Sequence, residues 1–210
     1  MCTRYTLTQF SIIVLKIRII MKRIPFSLKP YPILMLIGST IGLWAYSTRS
    51  FVDIGDKPDE NRFTKVVLAE KLNEPLEMAI LPDERVLFIE RHGQVQLYSP
   101  ITKQVKTIAT IPVSTKYKDK EGHETEAEDG LLGINIDPDF EKNHWIYLYY
   151  SPAGNDPKNI LTRYELKGDE LVISSKKVLL EVPVQREQCC HTGGSIDWDR
   201  EGNLYLSTGD

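Results

Sequence analysis

The sequence is poor in cysteine: it has three in 210 residues, and one of them, Cys2, lies close to the N-terminus. A small exported domain held together by disulfides needs several cysteine pairs. The sequence therefore excludes a disulfide framework. The fold must depend on a hydrophobic core, which a chain of this length can build.

The chain also lacks an apolar run long enough to span a bilayer. Its longest run, Ile33–Tyr46, is shorter than the roughly 20 apolar residues that a membrane-spanning helix needs. Residues 1–47 contain no acidic residue and six cations, Arg4, Lys16, Arg18, Lys22, Arg23 and Lys29. A basic segment that leads into a short apolar run is typical of a secretory signal peptide.

Two interpretations of residues 1–47 stay open. A signal peptide would be cleaved near Ala45-Tyr46-Ser47, whereas an uncleaved anchor would place Trp44 at the membrane interface. Both predict that the rest of the chain is periplasmic or secreted, and that only the N-terminal segment contacts a membrane. Met21 is followed by two cations and is a better start than Met1, so we expect residues 1–20 to be an upstream extension.

Positive charge is scarce outside this leader. Removing the six leader cations takes the formal net charge from −3 to −9 for residues 48–210. Binding to nucleic acid depends mainly on Lys and Arg side chains that neutralise phosphates. We therefore expect no nucleic-acid partner.

Helical periodicity is missing from Thr64 onward. Short apolar and aromatic segments alternate there with Pro, Asp, Gly and Asn, a pattern that predicts an all-β fold. Residues 48–63 show neither the leader pattern nor this one. We therefore expect a linker over 48–63 and one all-β domain over 64–210.

A strand–turn–strand unit occurs three times in that domain. Its turns lie at Leu81-Pro82-Asp83, Asp137-Pro138-Asp139 and Glu201-Gly202-Asn203. A repeat of about 50 to 60 residues is typical of a β-propeller blade, and an open sandwich of ordinary hairpins is the alternative. The chain holds about two and a half blades, whereas a closed propeller needs at least about four. We therefore expect a partial propeller.

The last unit carries the most informative residues. His191 comes just before Gly193 and Gly194, at the mouth of a strand. Absent side chains at that place let a planar ligand or another backbone approach closely. The residues alone leave two roles open for His191, a ligand or general base and a side chain that is simply hydrogen-bonded at a strand end.

Three blocks of residues, in order along 64–210, resemble the glucose/sorbosone dehydrogenase family. They are Glu74–Ala79 with Leu81-Pro82-Asp83 and Glu90-Arg91-x-Gly93; Asp129–Gly133 with Asp137–Phe140 and the strand to Tyr150; and His191-x-Gly193-Gly194 with Asp199-x-x-Gly202-x-Leu204-Tyr205 and Gly209-Asp210. The resemblance implies a six-bladed propeller. It also implies an oxidoreductase that uses pyrroloquinoline quinone (PQQ) and calcium to oxidise a sugar or polyol, and passes electrons to an acceptor such as a cytochrome or a quinone.

The resemblance also implies roles for single residues. His191 is the expected general base, and Asp210 is its expected carboxylate partner, although Asp210 taken alone could be a turn residue. Glu128 stands where the family has a polar residue near sugar and cofactor, but it also belongs to an acidic loop of the kind that is often just solvated. Together with Gly193 and Gly194 it forms the expected cofactor-binding set. We expect the cations that grip PQQ and the calcium ligands in later blades.

One departure from the family pattern concerns specificity. Cys190 directly precedes His191 where the family has a carboxylate, which argues against a strict preference for glucose. Cys189 and Cys190 either close a disulfide between neighbours or are buried as small hydrophobic residues. Neither a haem attachment site nor a zinc site fits this spacing.

A second class of function stays open beside the enzyme. An exported propeller can lose its activity, bind a glycan or a protein, and keep its strand motifs for folding. Cations and oxygen ligands clustered on later loops would favour the enzyme. A third class, a propeller hydrolase with a metal-bound water, lacks a metal-ligand cluster in the sequence.

We predict that the mature protein begins near Thr48 and is found outside the cytoplasm, because a basic and then apolar leader precedes a polar body. N-terminal sequencing of material recovered from culture fluid and from a periplasmic extract checks this. A mature terminus at Met1 or Met21 in a soluble cytoplasmic pool contradicts it.

Overall fold

The computed structural model describes residues 63–154, 156–187 and 190–209, and the backbone of strand β1 (Phe10–Ile17). The leader and the linker proposed for residues 1–63 lie almost entirely outside the described residues. The chain divides into two units, and the smaller one, Val14–Val66, is almost wholly among the residues not described. Among the described residues, no helix is long and apolar enough to cross a membrane.

The first sheet is a four-stranded antiparallel meander. Strand β2 (Phe63–Leu72) leads into it, and its members in order are β3 (Pro75–Ile80), β4 (Val86–Glu90), β5 (Gln94–Ser99) and β6 (Gln104–Thr110). The turn between β4 and β5 requires Gly93, which has a φ of 101°. A Cβ at Gly93 would lie 2.2 Å from the carbonyl oxygen of Ile111, so only glycine allows β5 and the segment after β6 to approach.

A short hairpin connects the first sheet to the second. It consists of β7 (Lys116–Lys118) and β8 (Glu124–Glu126). The second sheet is again a four-stranded antiparallel meander, made of β9 (Leu131–Ile136), β10 (Trp145–Tyr150), β11 (Lys158–Lys167) and β12 (Glu170–Pro183), with the one-turn helix α1 (Phe140–Asn143) between β9 and β10.

A third sheet begins with one hairpin, β13 (Ile196–Trp198) and β14 (Leu204–Leu206). Two meanders of four strands and this hairpin make two and a half blades of a propeller. The predicted all-β fold and the predicted blade count are confirmed.

Strand β10 contributes side chains to both hydrophobic cores, because successive side chains of a strand point to opposite faces. Ile146, Leu148 and Tyr150 pack against the first sheet in a core that includes Leu87 and Leu97. On its other face, β10 packs towards the third sheet in a second core formed by Leu132, Tyr147, Tyr149, Leu161 and Ile196, with Trp198 against it. A strand that is apolar on both faces is what a central blade requires.

We predict that Leu148→Ala lowers the free energy of unfolding of the complete gene product by about 2–5 kcal/mol, because the side chain is fully buried between two sheets. Ile101→Ala is the matched control, since Ile101 is 91% exposed and should change stability by less than about 0.5 kcal/mol. Urea denaturation measures both. Equal effects of the two substitutions would contradict the inter-sheet core.

Candidate functional site

Two loops face each other at one end of the second and third sheets. The first, residues 127–130, joins β8 to β9, and the second, residues 190–195, leads into β13. Glu128 connects them: its Oε2 accepts a hydrogen bond from the backbone N–H of His191 at 2.6 Å and lies 3.3 Å from that of Thr192. The carboxylate of Glu128 therefore holds the backbone that carries His191.

The backbone at His191 has a rare conformation. Cys190 has a φ of 96° and His191 a φ of 70°, so two successive residues with side chains occupy the left-handed region. Each such residue costs about 1–3 kcal/mol and persists only where its surroundings enforce it. Consecutive N–H groups in such a turn bind an anion, and here the anion is the Glu128 carboxylate. Strain of this kind is concentrated at functional sites.

Asp129 forms a second link between the loops. It is buried, and its Oδ1 accepts a hydrogen bond from the Thr192 hydroxyl at 3.2 Å. Its Oδ2 lies 3.6 Å from Nε of Arg186. The same guanidinium donates to the backbone carbonyls of Pro152, Gly154 and Lys158. Asp129 is therefore a paired buried charge, as a buried carboxylate must be.

Arg91 holds the first loop, residues 127–130, in place. Its guanidinium donates to the carbonyls of Ala127 and Asp129, the two residues that flank Glu128, at 2.9 and 3.1 Å. It also pairs with the carboxylates of Glu74 and Glu126. The hydrogen bond from Arg91 is the main cause that lowers the pKa of Glu74. Arg91 is thus fully engaged in holding the loop in place.

The glycines of the second loop allow other parts of the protein to approach closely. A Cβ on Gly193 would lie 2.7 Å from the backbone of Thr208, and a Cβ on Gly194 would lie 2.5 Å from Cβ of Leu132. The missing side chains point at protein. The approach of another backbone, one of the two expected reasons for glycine here, explains Gly193, whereas the Leu132 side chain takes the space at Gly194. Gly209 follows the same rule, because its Cβ would overlap the carbonyl oxygen of His191.

Two cavities open beside these loops. One, of about 430 Å³, is lined by His191, Cys190, Thr192, Tyr149 and Asn159 among others. The other, of about 540 Å³, is lined by Glu128, Gly193, Gly194, Glu77, Arg91 and Thr192 among others. Thr192 lines both. The structure thus brings four of the predicted site residues, His191, Glu128, Gly193 and Gly194, to one edge of the sheets.

Other residues singled out in the sequence lie elsewhere or are not described. Asp210 lies outside the described residues, so its pairing with His191 stays a prediction. Cys190 is disulfide-bonded, and Cys189, its proposed partner, is also outside the described part of the chain. His123 is exposed on the β7–β8 hairpin, where Asp119 and Glu121 lie near it.

Sequence reasoning missed the residues that support the site. In the sequence, Arg91 and Asp129 appear only as members of family motifs, and no pattern marks Arg186. Their importance comes from contacts between residues far apart in the sequence. A usable clue was the adjacency of Asp129 to Glu128, since two acidic residues before an apolar strand need cations or N–H groups once that strand is buried.

The described residues fit only part of a PQQ molecule. A cavity of about 540 Å³ lies within the usual range for a small-molecule site, about 300–1,000 Å³. However, two carboxylates, Glu77 and Glu128, line it, and its one arginine within the described ranges, Arg91, is already paired. A tricarboxylate needs unpaired cations, and the described residues of this cavity do not supply them.

We predict that Glu128→Ala raises the amide hydrogen-exchange rate of His191 and Thr192 at least about tenfold, since it removes the acceptor that holds a strained turn. Glu121→Ala is the control, because Glu121 is an exposed carboxylate of the same acidic stretch. Exchange measured on the peptide that covers residues 190–195 checks the prediction. Unchanged exchange in Glu128→Ala would contradict the anchoring role.

Comparisons with known proteins agree with this fold. A family model described as Glucose / Sorbosone dehydrogenase matches residues 72–210. Quinoprotein glucose dehydrogenase B of Acinetobacter calcoaceticus is 24% identical over 163 residues, which cover 73% of this chain and 32% of the relative. Aldose sugar dehydrogenase YliI of Escherichia coli (strain K12) is 28% identical over 148 residues, which cover 69% of this chain and 37% of the relative. The chain thus spans about a third of the length of these relatives.

Solved structures show the same similarity. The PQQ-bound form of aldose sugar dehydrogenase from Streptomyces coelicolor matches with a TM-score of 0.53 at 25% identity, over 66% of this chain and 38% of that one. The apo-form of soluble aldose sugar dehydrogenase from Escherichia coli matches in fold with a TM-score of 0.54 at 24% identity, over 69% of this chain and 40% of that one. With two thirds of its residues matched in sequence and fold, the chain belongs to the glucose/sorbosone dehydrogenase family.

Proposed function

We propose that the protein is an exported quinoprotein oxidoreductase that oxidises a hydroxyl group of a sugar or polyol, with His191 as general base. The observation that carries this proposal is the placement of His191 on a strained, doubly anchored turn at the edge of a cavity. Family membership supplies the reaction class. The described chain contributes the proton-accepting side of the site.

The chemistry balances with one base and one two-electron acceptor. The His191 imidazole would take the proton of the substrate hydroxyl, the role that histidine fills most often in general acid–base catalysis. A bound PQQ would supply the two-electron oxidant for the hydride that leaves the same carbon. The substrate C–H and O–H bonds break, and a C=O bond forms. The imidazolium then returns its proton to solvent.

The residues around His191 would set the geometry of the proton transfer. Glu128 fixes the backbone of His191, and Asp129 fixes Thr192 next to it. A carboxylate at Asp210 would hold the second ring nitrogen, fix the tautomer and stabilise the imidazolium. Placement within a fraction of an ångström matters, because misplacement of a reacting group by about 1 Å can cost about 10²-fold in rate.

Cofactor and partners follow from the same proposal. Glu128, Gly193 and Gly194 would border the PQQ site, while the cations for its carboxylates and the ligands of calcium would come from residues not described. Electrons would leave to a cytochrome or a quinone, in the periplasm or outside the cell. The named relatives all have dehydrogenase names, and no contact among the described residues favours the non-catalytic alternative.

We predict that His191→Ala in the complete gene product lowers turnover of an aldose by about 10² to 10⁴, the usual contribution of a positioned base. PQQ affinity should change much less, because cations and calcium would hold the cofactor. His123→Ala is the control, since His123 lies on an exposed hairpin. Sugar-dependent dye reduction and PQQ titration give the two readouts. Normal dye reduction by PQQ-loaded His191→Ala would assign the base to another residue.

Asp210→Asn should also lower turnover, because an amide favours the wrong imidazole tautomer. Its effect should be strongly non-additive with His191→Ala, since the two residues would act as a unit. Additive losses would separate Asp210 from His191. If the unsubstituted protein, loaded with PQQ and calcium, reduces dye with no aldose or polyol, the oxidoreductase proposal fails.

A further inference from the structure

Glu77 is a second carboxylate in the 540 Å³ cavity, and the proposed chemistry does not use it. It lies on β3, the first strand of the first sheet, and is half-buried. Its Oε1 accepts a hydrogen bond from the hydroxyl of Ser195 at 2.5 Å, and its Oε2 accepts one from the backbone N–H of Ile134 at 2.9 Å. One side chain of the first sheet thus contacts the first strand of the second sheet and the residue directly before the first strand of the third.

The three sheets present equivalent positions at this contact. The backbone N–H groups of Leu81, Asp137 and Asp199 each close the turn that follows the first strand of their sheet. The residues four positions before them are Glu77, Gly133 and Ser195. Equivalent residues of three blades therefore converge on one point.

Space at this point is too small for three ordinary side chains. A Cβ on Gly133 would lie 1.9 Å from the carbonyl oxygen of Gly194 and 3.2 Å from Oε2 of Glu77. The second sheet therefore contributes glycine and the third contributes serine. The glutamate of the first sheet fills the remaining space.

The contact also satisfies a backbone group that the sheet leaves unpaired. Strand β9 is the edge strand of the second sheet, with β10 as its only partner in that sheet. An edge strand has N–H groups that need an acceptor from elsewhere. Glu77 provides it for Ile134, and in the same region the amide of Asn135 donates to the carbonyl of Ile196 on the third sheet at 2.8 Å.

We propose that Glu77 is a positioning residue: its carboxylate fixes Ser195 against the first and second sheets, and through the rigid Gly193-Gly194 segment it sets the position of His191. The inference deepens the proposed function and rests on it for the role of His191. The path is short, because Ser195 follows His191 by four residues and the segment between them packs against Thr208 and Leu132.

Ionisation of the half-buried Glu77 side chain lowers the stability of the fold. Burial is the main cause that raises the pKa of Glu77 above its usual range, and the hydrogen bonds from Ser195 and the backbone oppose it. The charged groups near it are Asp197, Arg91 and Glu128. The folded state therefore binds the Glu77 proton more tightly than the unfolded chain does. The contribution of Glu77 to stability is full below the ordinary glutamate pKa and is lost as pH rises through the raised one.

The test compares Glu77→Ala and Glu77→Gln in the complete gene product, with Glu141→Ala on α1 as the control for loss of an exposed glutamate. Alanine removes both hydrogen bonds. Glutamine keeps an oxygen for the Ile134 N–H and offers an N–H to the Ser195 hydroxyl, but cannot titrate. Ser195→Ala removes one of the two partners and completes a double-mutant cycle with Glu77→Ala.

We expect Glu77→Ala to lower kcat by about 10- to 100-fold, with much smaller changes in the KM of the sugar and in PQQ affinity. Glu77→Gln should restore most of kcat. In the unsubstituted protein, Glu77 should cause the free energy of unfolding to fall as pH rises from the ordinary glutamate range towards neutrality. In Glu77→Gln this fall should be absent. Amide exchange at Ile134 and at Ser195–Trp198 should rise in Glu77→Ala and stay low in Glu77→Gln.

Three outcomes would overturn the proposal. They are unchanged kcat and exchange in Glu77→Ala; a joint loss of PQQ affinity, melting temperature and kcat that glutamine does not restore; and independent effects of Glu77 and Ser195 in the cycle. If the unsubstituted protein reduces no dye, the proposed function fails instead. Neither the amide exchange rates nor a double-mutant cycle measured as free energies of unfolding depends on activity. Both then still show whether Glu77 holds the third sheet in place.

Discussion

The close approach of the first strands of three sheets is the constraint on which the site depends. At Gly133 and Gly194 the backbones are so near that a single Cβ on either would overlap its neighbour. Such close contact restricts the segment before β13 to few conformations. The loop that carries His191 is therefore positioned by packing of backbone on backbone, which is far stiffer than contact between flexible side chains.

Carboxylates complete this positioning. Glu128 accepts N–H groups of the His191 turn, Asp129 accepts the Thr192 hydroxyl, and Glu77 accepts the Ser195 hydroxyl, so three acidic side chains hold three nearly consecutive residues. Two cations, Arg91 and Arg186, stabilise the loop that supplies two of these carboxylates. Charge-assisted hydrogen bonds are stronger than neutral ones, which suits a loop that must keep a strained backbone.

The same arrangement limits what the described residues can bind. The arginines Arg91 and Arg186 contact carboxylates and backbone carbonyls, and the cavity beside Glu77 and Glu128 has Arg91 as its one described arginine. An anionic quinone would therefore depend on cations from other parts of the protein. Under the proposed function, the base and the cations that hold the cofactor would lie on different blades, and closure of the ring would assemble the site.

The sequence by itself determined the fold class and the family. Apolar segments beside Pro-Asp or Gly-Asn turns predicted β3, β4, β9, β10 and the last hairpin. The pattern is strongest in β4 and β10, which are buried on both faces. The outer strands β6 and β12 and the hairpin β7–β8 were not predicted. Their residues are largely exposed, so pairing with a neighbouring strand, and not burial, defines them.

The sequence also determined which residues stand at the site, His191, Glu128, Gly193 and Gly194, since the family motifs contain or flank them. Only the tertiary structure decided what surrounds them: that Glu128 binds the backbone of His191, that the glycines admit other backbones, and that Glu77 meets Ser195 from another sheet. The reason is that such contacts join residues far apart along the chain: Glu128 and His191 are 63 positions apart, and Glu77 and Ser195 are 118 apart. Local pattern carries no information on such distances, and close packing of the blades sets them.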